Sequence, residues 1–575
     1  MKKSAQIWGG VCLWVVALAV ALVLGISPLL TPPPVKGDAD TFSAYRAQEH
    51  IKAIASVPHT VYDKSQQEKV RQYLVNTLAS YGCATSIEAY KGAKDEDGKT
   101  WDITDIYGVL HGKGVTTADG NNAPGADNAP GADKPQSLLL VAHYDSNPGK
   151  GVGEAPGSTG AGDDAYGISM ILETLRALQS DTERVNDIRV LFTDSEEVTM
   201  LGSTLAAKDE DLGLTGSAAV FNIEARGLRG PAVMFETSAN NAKLIQFYHD
   251  HSGLPASWSL ATDVYRVMPN YTDFTAFTDA GMQGMNFSVL DSLEENHTPL
   301  DNYARIDLSA IQGYGDQILP LVKAFADGHI STDGKNLTDE GFKANSDMAY
   351  FTLVTGVLIS YPAFWNYVVL GAALLAWALY LILSYRKKLL KPRRLWGIFM
   401  IIGFAMVSAG VGYGISYVLS AAFNLPFKLT NMPGVPAAGI FAGASVAIIG
   451  IALFFVFRTL LKKGWKYEEL LLCTLGAMVI LAIGFTVALP GGAFLFSWPV
   501  LAGALLGIGA LLLPALFRVL AFVPAVWIFT PVIILLYISL TIGALAVVLL
   551  LAAFPLCAAM PALAGIIRGG RKKRN

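Results

Sequence analysis

Leu138-Leu139-Leu140-Val141-Ala142-His143-Tyr144-Asp145 is the stretch on which the fold of this chain turns. Its first five residues are apolar and read as a β-strand that stops at a histidine. On an extended chain, residues i and i+2 point to the same side, so His143 and Asp145 stand together where the strand ends. His143 is suited there to hold a metal while Asp145 bonds its other ring nitrogen, fixing tautomer and basicity. A satisfied surface pair is the plainer reading of the same two residues.

Similar β-rich runs occur at 106–110, 188–192, 219–223 and 285–290, with helical patterns between several of them. Ile168, Ile171, Leu172 and Leu175 fall on one helical face. Ser65-Gln66-Gln67-Glu68 has the form of a capping box and predicts a helix to about Ser80. Strands alternating with helices predict an α/β domain with a mostly parallel, helix-covered sheet over residues 45–330, long enough for one large core. Within it, residues 112–136 are low in complexity and repeat Asn-Ala-Pro-Gly-Ala-Asp at 122–127 in Asn-Ala-Pro-Gly-Ala-Asp at 128–133. Such a segment predicts a flexible surface insertion with no catalytic role.

Beyond this domain the chain changes character. Residues 1–350 hold 26 Lys and Arg against 45 Asp and Glu; residues 351–575 hold 17 cations and two acids, Glu468 and Glu469. The balances are −19 and +15. Only 16% of the chain is charged, below the roughly 25% of soluble proteins. The basic excess sits in the apolar half, which argues against a nucleic-acid surface. Only Cys83 among four cysteines lies in the polar half, so no disulfide forms within it, and all eight histidines lie between His50 and His329.

Residues 7–30 are uncharged and long enough to span a bilayer, which predicts an uncleaved transmembrane anchor over 1–30 and a linker over 31–44. Residues 331–361 are expected to be linker and membrane-proximal chain, and 362–567 a membrane domain of about seven helices. Basic clusters at 386–394, 458–466 and 568–574 are expected in the cytoplasm. An even number of crossings between them gives eight spans with both termini inside, a basic cytoplasmic tail at 568–575, and the folded domain outside. No acid or histidine lies clearly inside a span, so the expected role of the spans is anchoring in the lipid bilayer.

Four further motifs follow strand-like runs in the polar half. They are Asp163-Asp164 at a helix start, Glu196-Glu197, Glu224 ending an apolar run, and His297 in a loop. Singly, each has a plain structural reading: a helix cap, a solvated turn, a strand end or a loop residue. Jointly they converge, because strand C-terminal ends in open α/β sheets face one crevice. His143, Asp163, Glu197, Glu224 and His297 supply two imidazoles and three carboxylates. With one carboxylate bridging, each of two zinc ions has three protein ligands and an open position. Glu196 remains as general base.

The motifs His143-x-Asp145, Asp163-Asp164, Glu196-Glu197, Glu224 and His297, in that order over about residues 45–330, resemble the co-catalytic di-zinc aminopeptidases. That family includes bacterial leucyl aminopeptidases and glutamate carboxypeptidases. The resemblance implies a zinc exopeptidase fold, with Asp163 bridging, His143 and Glu224 on one zinc, and Glu197 and His297 on the other. It implies that Asp145 supports His143 and that the Asp163–Asp164 peptide bond is cis. Glu224 stands where soluble members often have Asp. Asn222-Ile223-Glu224-Ala225-Arg226-Gly227 and Met234-Phe235-Glu236-Thr237 look like the membrane-bound branch, which includes the endoplasmic reticulum metallopeptidase and the fungal vacuolar membrane protease.

The expected function is therefore a membrane-anchored di-zinc exopeptidase, an aminopeptidase acting on peptide or protein substrates outside the cytoplasm. Tyr271 or Arg226 is expected near the oxyanion, and Glu236 or Asp273 near a substrate ammonium. A carboxypeptidase or a cyclase-like relative remains open on the same fold. So does an inactive receptor or scaffold, although such a relative should lack a ligand and here all five and the base are present. The sequence leaves oligomeric state undetermined.

Overall fold

The computed structural model describes residues 2–112, 136–149, 157–181, 184–268, 270–328, 341–429, 432 and 434–569. Most of the expected insertion at 112–136, residues 331–340 of the expected linker and residues 570–575 of the expected tail lie outside the described residues. The chain divides into two compact units, Leu30–Pro362 and Met1–Leu29 with Ala363–Asn575.

The first unit is built on seven strands: β1 (Ala84–Lys94), β2 (Thr100–Leu110), β3 (Ser137–His143), β4 (Asp187–Thr193), β5 (Ala219–Ala225), β6 (Arg229–Thr237) and β7 (Gly284–Asp291). Their order across the sheet is β1-β2-β4-β3-β5-β7-β6. The four central strands are parallel and the pairs towards both edges are antiparallel. The sheet is thus mixed, where a mostly parallel one was expected. The run 138–142 is uninterrupted because β3 is central and buried on both faces. Leu138, Leu140 and Ala142 join the core on one face, and Leu139 and Val141 the core on the other. Helices Ala44–Ile54, Ala165–Leu178 and Leu308–Ala326 supply the first core, while Ala206, Phe274 and Phe277 supply the second.

The antiparallel strands β1 and β6 have no counterpart in the sequence reading. β1 alternates half-buried and exposed residues with many charges, so it offers no apolar run to find. The helix expected from Ser65 spans Lys64–Ser80, and its cap is Asp63, whose carboxylate accepts the Gln66 N–H. Two expected linkers prove to be folded. In 31–44, Phe42 is buried against Gly315, where a Cβ would lie 2.1 Å from its ring, and Ser43 N–H donates to Glu173. In 331–361, a hairpin of β8 (Met348–Val354) and β9 (Val357–Pro362) joins the unit through a bridge between Trp258 and Phe351. Both segments carry apolar residues that burial holds more firmly than their polar neighbours suggested.

In the second unit, eight helices among the described residues are long and apolar enough to cross a membrane, the number expected. They are Gln6–Leu29, Trp365–Arg386, Pro392–Ala422, Ala438–Lys462, Tyr467–Ala488, Pro490–Ala510, Pro514–Leu540 and Ile542–Arg568. The last two of them are divided at Thr541, whose backbone leaves helical geometry. The N-terminal helix is part of this unit: the Trp14 indole donates to the Ala559 carbonyl at 3.1 Å.

Candidate active site

The C-terminal ends of β3, β4, β5 and β7 point the same way, and the motifs lie at or just beyond them. Chain leaving β3 goes to β4 on one side, and chain leaving β4 passes over β3 to β5. The crevice of an open α/β sheet lies at such a reversal, and here His143 ends the strand at which it occurs. Asp164 caps the helix Ala165–Leu178 by accepting Gly167 N–H at 2.9 Å. Gly167 has no Cβ because one would meet the Ile223 carbonyl at 1.9 Å; this close approach brings the Asp163 loop onto β5. The Asp163–Asp164 peptide bond is cis.

Asp163 is the centre of the arrangement. Its Oδ1 lies 3.0 Å from His143 Nε2 and its Oδ2 lies 3.1 Å from His297 Nε2. His297 Nε2 is also 3.0 Å from Glu197 Oε2. His143, Asp163 and Glu197 each offer one ligand atom within 4.8 Å of the others. The tautomer of His143 follows from its far side: Nδ1 faces the Asp145 carbonyl oxygen at 3.0 Å, an acceptor only, so Nδ1 carries the proton. The neutral ring then presents a lone pair at Nε2 to a carboxylate oxygen. Two acceptors at that distance repel unless a cation or a second proton lies between them. Glu197 Oε1, buried with no partner among the described residues, adds a further unsatisfied oxygen. This donor set of imidazole nitrogens and carboxylate oxygens suits divalent metal, zinc included.

Asp145 was expected to bond His143 through its carboxylate. The carboxylate is 3.6 Å from Nδ1, and the backbone carbonyl makes the bond instead. The carboxylate turns to β4, accepting the N–H of Glu196 at 3.0 Å and of Glu197 at 3.3 Å. One aspartate thus fixes the first imidazole and both glutamates. Ser195 and His297 hold left-handed backbone (φ 68° and 57°), uncommon for residues with side chains and concentrated at functional loops.

Without cations, these groups share protons. Burial lowers the His143 pKa, but the negative carboxylates of Asp145, Asp163 and Glu196 around the ring outweigh it and hold it well above the usual histidine value. Burial also opposes His297, which Asp163 and Glu197 raise to about 11. Asp163 is the reverse case: burial raises it, and bonds from both imidazoles bring it below the ordinary carboxylate range. Burial pushes Glu224 up to about 8, and Glu196 well above the usual value. Opposite charge thus stabilises the ionised forms of His143, His297 and Asp163, whereas burial disfavours the ionised forms of Glu224 and Glu196.

Glu224 Oε1 accepts from Asn222 at 3.0 Å, and Asn222 also donates to Asn286 at 3.1 Å. Asn286 in turn donates to Glu236 at 3.0 Å. Glu236, expected near a substrate ammonium, is therefore tied through two asparagines to the expected ligand Glu224. Burial raises its pKa to about 7. Asp273 is not available to a substrate: it is 1% exposed and accepts the Thr193 hydroxyl. Tyr271 is 64% exposed and makes no side-chain hydrogen bond among the described residues. Arg226 is half-buried, and its charge acts on Glu224.

Three contributors escaped the sequence reading. The Tyr265 hydroxyl is buried without a partner among the described residues, within electrostatic reach of Glu224, Arg226, Glu236 and Glu196. Asn147 donates to Glu197 Oε2 at 2.8 Å. Asp301, four residues beyond His297, accepts Gly162 N–H at 2.6 Å, the Ser158 hydroxyl at 2.7 Å and Asp163 N–H at 3.4 Å. It ties the loop of His297 to the loop of Asp163. An acid shortly after a histidine in a loop was a visible signal, but only pairing distances reveal its task. Asp301→Ala leaves those donors unpaired, and a fall in metal affinity of about 10–100-fold is expected. Metal titration of the chelator-treated full-length protein reads it; unchanged affinity removes Asp301 from this role.

Residues 126–322 match the sequence model of Peptidase family M28. Over 390 residues, 67% of the chain, it is 24% identical to endoplasmic reticulum metallopeptidase 1 of Homo sapiens, covering 40% of that protein. Over 319 residues, 52% of the chain, it is 26% identical to the vacuolar membrane protease of Yarrowia lipolytica, covering 29% of that protein. The chain spans between a quarter and two fifths of the length of the curated relatives it matches. Among solved structures, the aminopeptidase from Aneurinibacillus sp. strain AM-1 aligns with a TM-score of 0.39 at 12% identity, over 50% of this chain and 95% of that one. The family match falls within the first unit, and the eight apolar helices among the described residues suit a multi-pass membrane protein.

Proposed function

We propose that the chain is a membrane-anchored di-zinc exopeptidase, an aminopeptidase, whose catalytic domain (45–330) lies outside the cytoplasm. The observation that carries this reading is Asp163, with each carboxylate oxygen aimed at a different imidazole. In the proposed ligand set Asp163 bridges, His143 and Glu224 complete one zinc site, and Glu197 and His297 the other. Zinc, when bound, polarises the scissile carbonyl and makes water acidic enough to attack near neutral pH.

The protein's own groups do the rest. Glu196, held by its backbone N–H on Asp145, takes the proton of the attacking water and returns it to the leaving amine. The unpartnered Tyr265 hydroxyl donates to the carbonyl oxygen as charge develops there, with Arg226 adding positive field. Glu236 accepts the substrate ammonium, and an anionic Glu236 is held in place by Asn286. The segment 1–30 anchors the chain, the basic clusters face the cytoplasm with both termini, and the substrate is a peptide or protein met on the opposite side.

Free and N-acetylated peptides distinguish the directions of attack. Acetylation is expected to abolish cleavage, because it removes the ammonium that Glu236 accepts. Cleavage of acetylated peptides that requires a free C-terminus makes the enzyme a carboxypeptidase instead. One tightly bound zinc per chain with full activity points to a cyclase-like relative.

A further inference from the structure

Glu468 and Glu469 are the only acids in residues 363–575, and both are buried at the start of the helix Tyr467–Ala488. Glu469 gathers two connections between spans. It accepts Lys391 N–H at 2.9 Å, Lys466 N–H at 2.8 Å and the Arg394 guanidinium. Arg394 also donates to the Gly464 carbonyl at 2.7 Å, and the Lys466 amine to the Lys388 carbonyl at 2.6 Å. A third connection is laced in by the Lys387 amine on the Leu511 carbonyl at 2.8 Å and by Arg518 on Glu468 at 3.2 Å. Every carboxylate of this unit is thus consumed inside the lacing.

Six cations remain on its outside. Arg386, Lys388, Lys391, Arg393, Lys462 and Lys463 are exposed, and none makes a side-chain hydrogen bond or ion pair among the described residues. They lie where apolar helices end: Arg386 and Lys462 are the last residues of theirs. Trp396 and Trp465, with ring centroids 5.7 Å apart, mark the same level, as tryptophans do at membrane interfaces. Fixing topology needs cations in short loops but does not need those loops ordered. Two buried carboxylates spent on ordering them, with no acid left to neutralise the outer face, call for a complementary anion supplied from elsewhere.

We propose that this face binds the phosphates of anionic phospholipids in the leaflet it meets. The surface is at headgroup depth, its charges share one sign, and its cations are held apart from internal acids. Each basic residue near an anionic membrane strengthens association roughly fivefold, and the attraction falls within a Debye length. The proposal is independent of the peptidase reading.

The test uses the full-length protein in detergent, titrated with micellar phosphatidylglycerol or phosphatidylcholine. Phosphatidylglycerol is expected to bind at least about tenfold more tightly at low salt, with the preference lost at 1 M salt. The variant carrying Lys388→Gln, Lys391→Gln, Arg393→Gln, Lys462→Gln and Lys463→Gln is expected to show no preference. Equal affinity of the native protein for the two lipids overturns the proposal, as does a preference that survives 1 M salt or the five substitutions. If that variant does not fold, the lipid and salt comparisons on the native protein decide alone.

Discussion

Glu196→Gln is expected to retain both zinc ions and to lose at least about 100-fold in turnover, the lower end of what a general base contributes. The side chain is 14% exposed, and its Oε2 lies 4.0 Å from His143 Nε2, beside the ligands but outside the shared contacts of Asp163. Burial and the neighbouring acids Glu224 and Glu197 raise its pKa, so it is a willing proton acceptor once cations offset their charge. Glutamine keeps the size of the side chain and leaves the bond from its backbone N–H to Asp145 intact. It cannot take a proton. Zinc analysis alongside turnover separates the two roles: a variant with two zinc ions and near-native turnover removes Glu196 from proton transfer, and one that has lost zinc makes it a ligand.

The site was legible because its residues sit at the ends of apolar runs, and apolar runs survive in a sequence read alone. β3, β4, β5 and β7 each end or lead into a motif, so finding the strands placed His143, Glu197, Glu224 and His297 on one crevice. β1 escaped because an edge strand lined by exposed and charged residues offers no apolar run, whereas β6 holds a buried apolar run, residues 232–235, that the sequence reading passed over. The folded termini of the domain escaped for a related reason. Phe42 stands alone among polar residues, and the hairpin β8–β9 lies in an uncharged run that continues into the first helix after it, so neither announces the core it joins through distant partners.

Individual roles divided along the same line. The kind of donor a residue type can offer, such as an imidazole nitrogen or a carboxylate oxygen, was readable from identity. What depends on a partner was not. Asp145 chose its backbone carbonyl for His143 because its carboxylate serves two N–H donors on the neighbouring strand. Asp273 resembles a substrate anchor in sequence, yet the Thr193 hydroxyl holds it beneath the sheet ends. Tyr265 lies six residues before Tyr271 and was passed over, although it is the one whose buried hydroxyl has no partner.

Asp163→Asn is expected to cost more than Glu196→Gln in metal retention and at least as much in turnover. Asparagine offers one oxygen where the native carboxylate offers two. With that oxygen towards either imidazole, its amide N–H₂ faces the other, at a place now 3.0 or 3.1 Å from a ring nitrogen. An N–H₂ group donates and cannot ligate, so one metal position loses its shared ligand while both lose negative charge. Removing a group that merely orients a ligand costs about 10–100-fold in affinity; removing the bridge itself is expected to exceed 100-fold for at least one ion. The backbone is spared, since Asp301 still holds Gly162 and Ser158, and the Asp163 N–H remains available to it. Zinc content after dialysis against a weak chelator, measured together with peptide turnover, reads the result. Two zinc ions retained at native affinity, with native turnover, would show that the two imidazoles do not meet through Asp163.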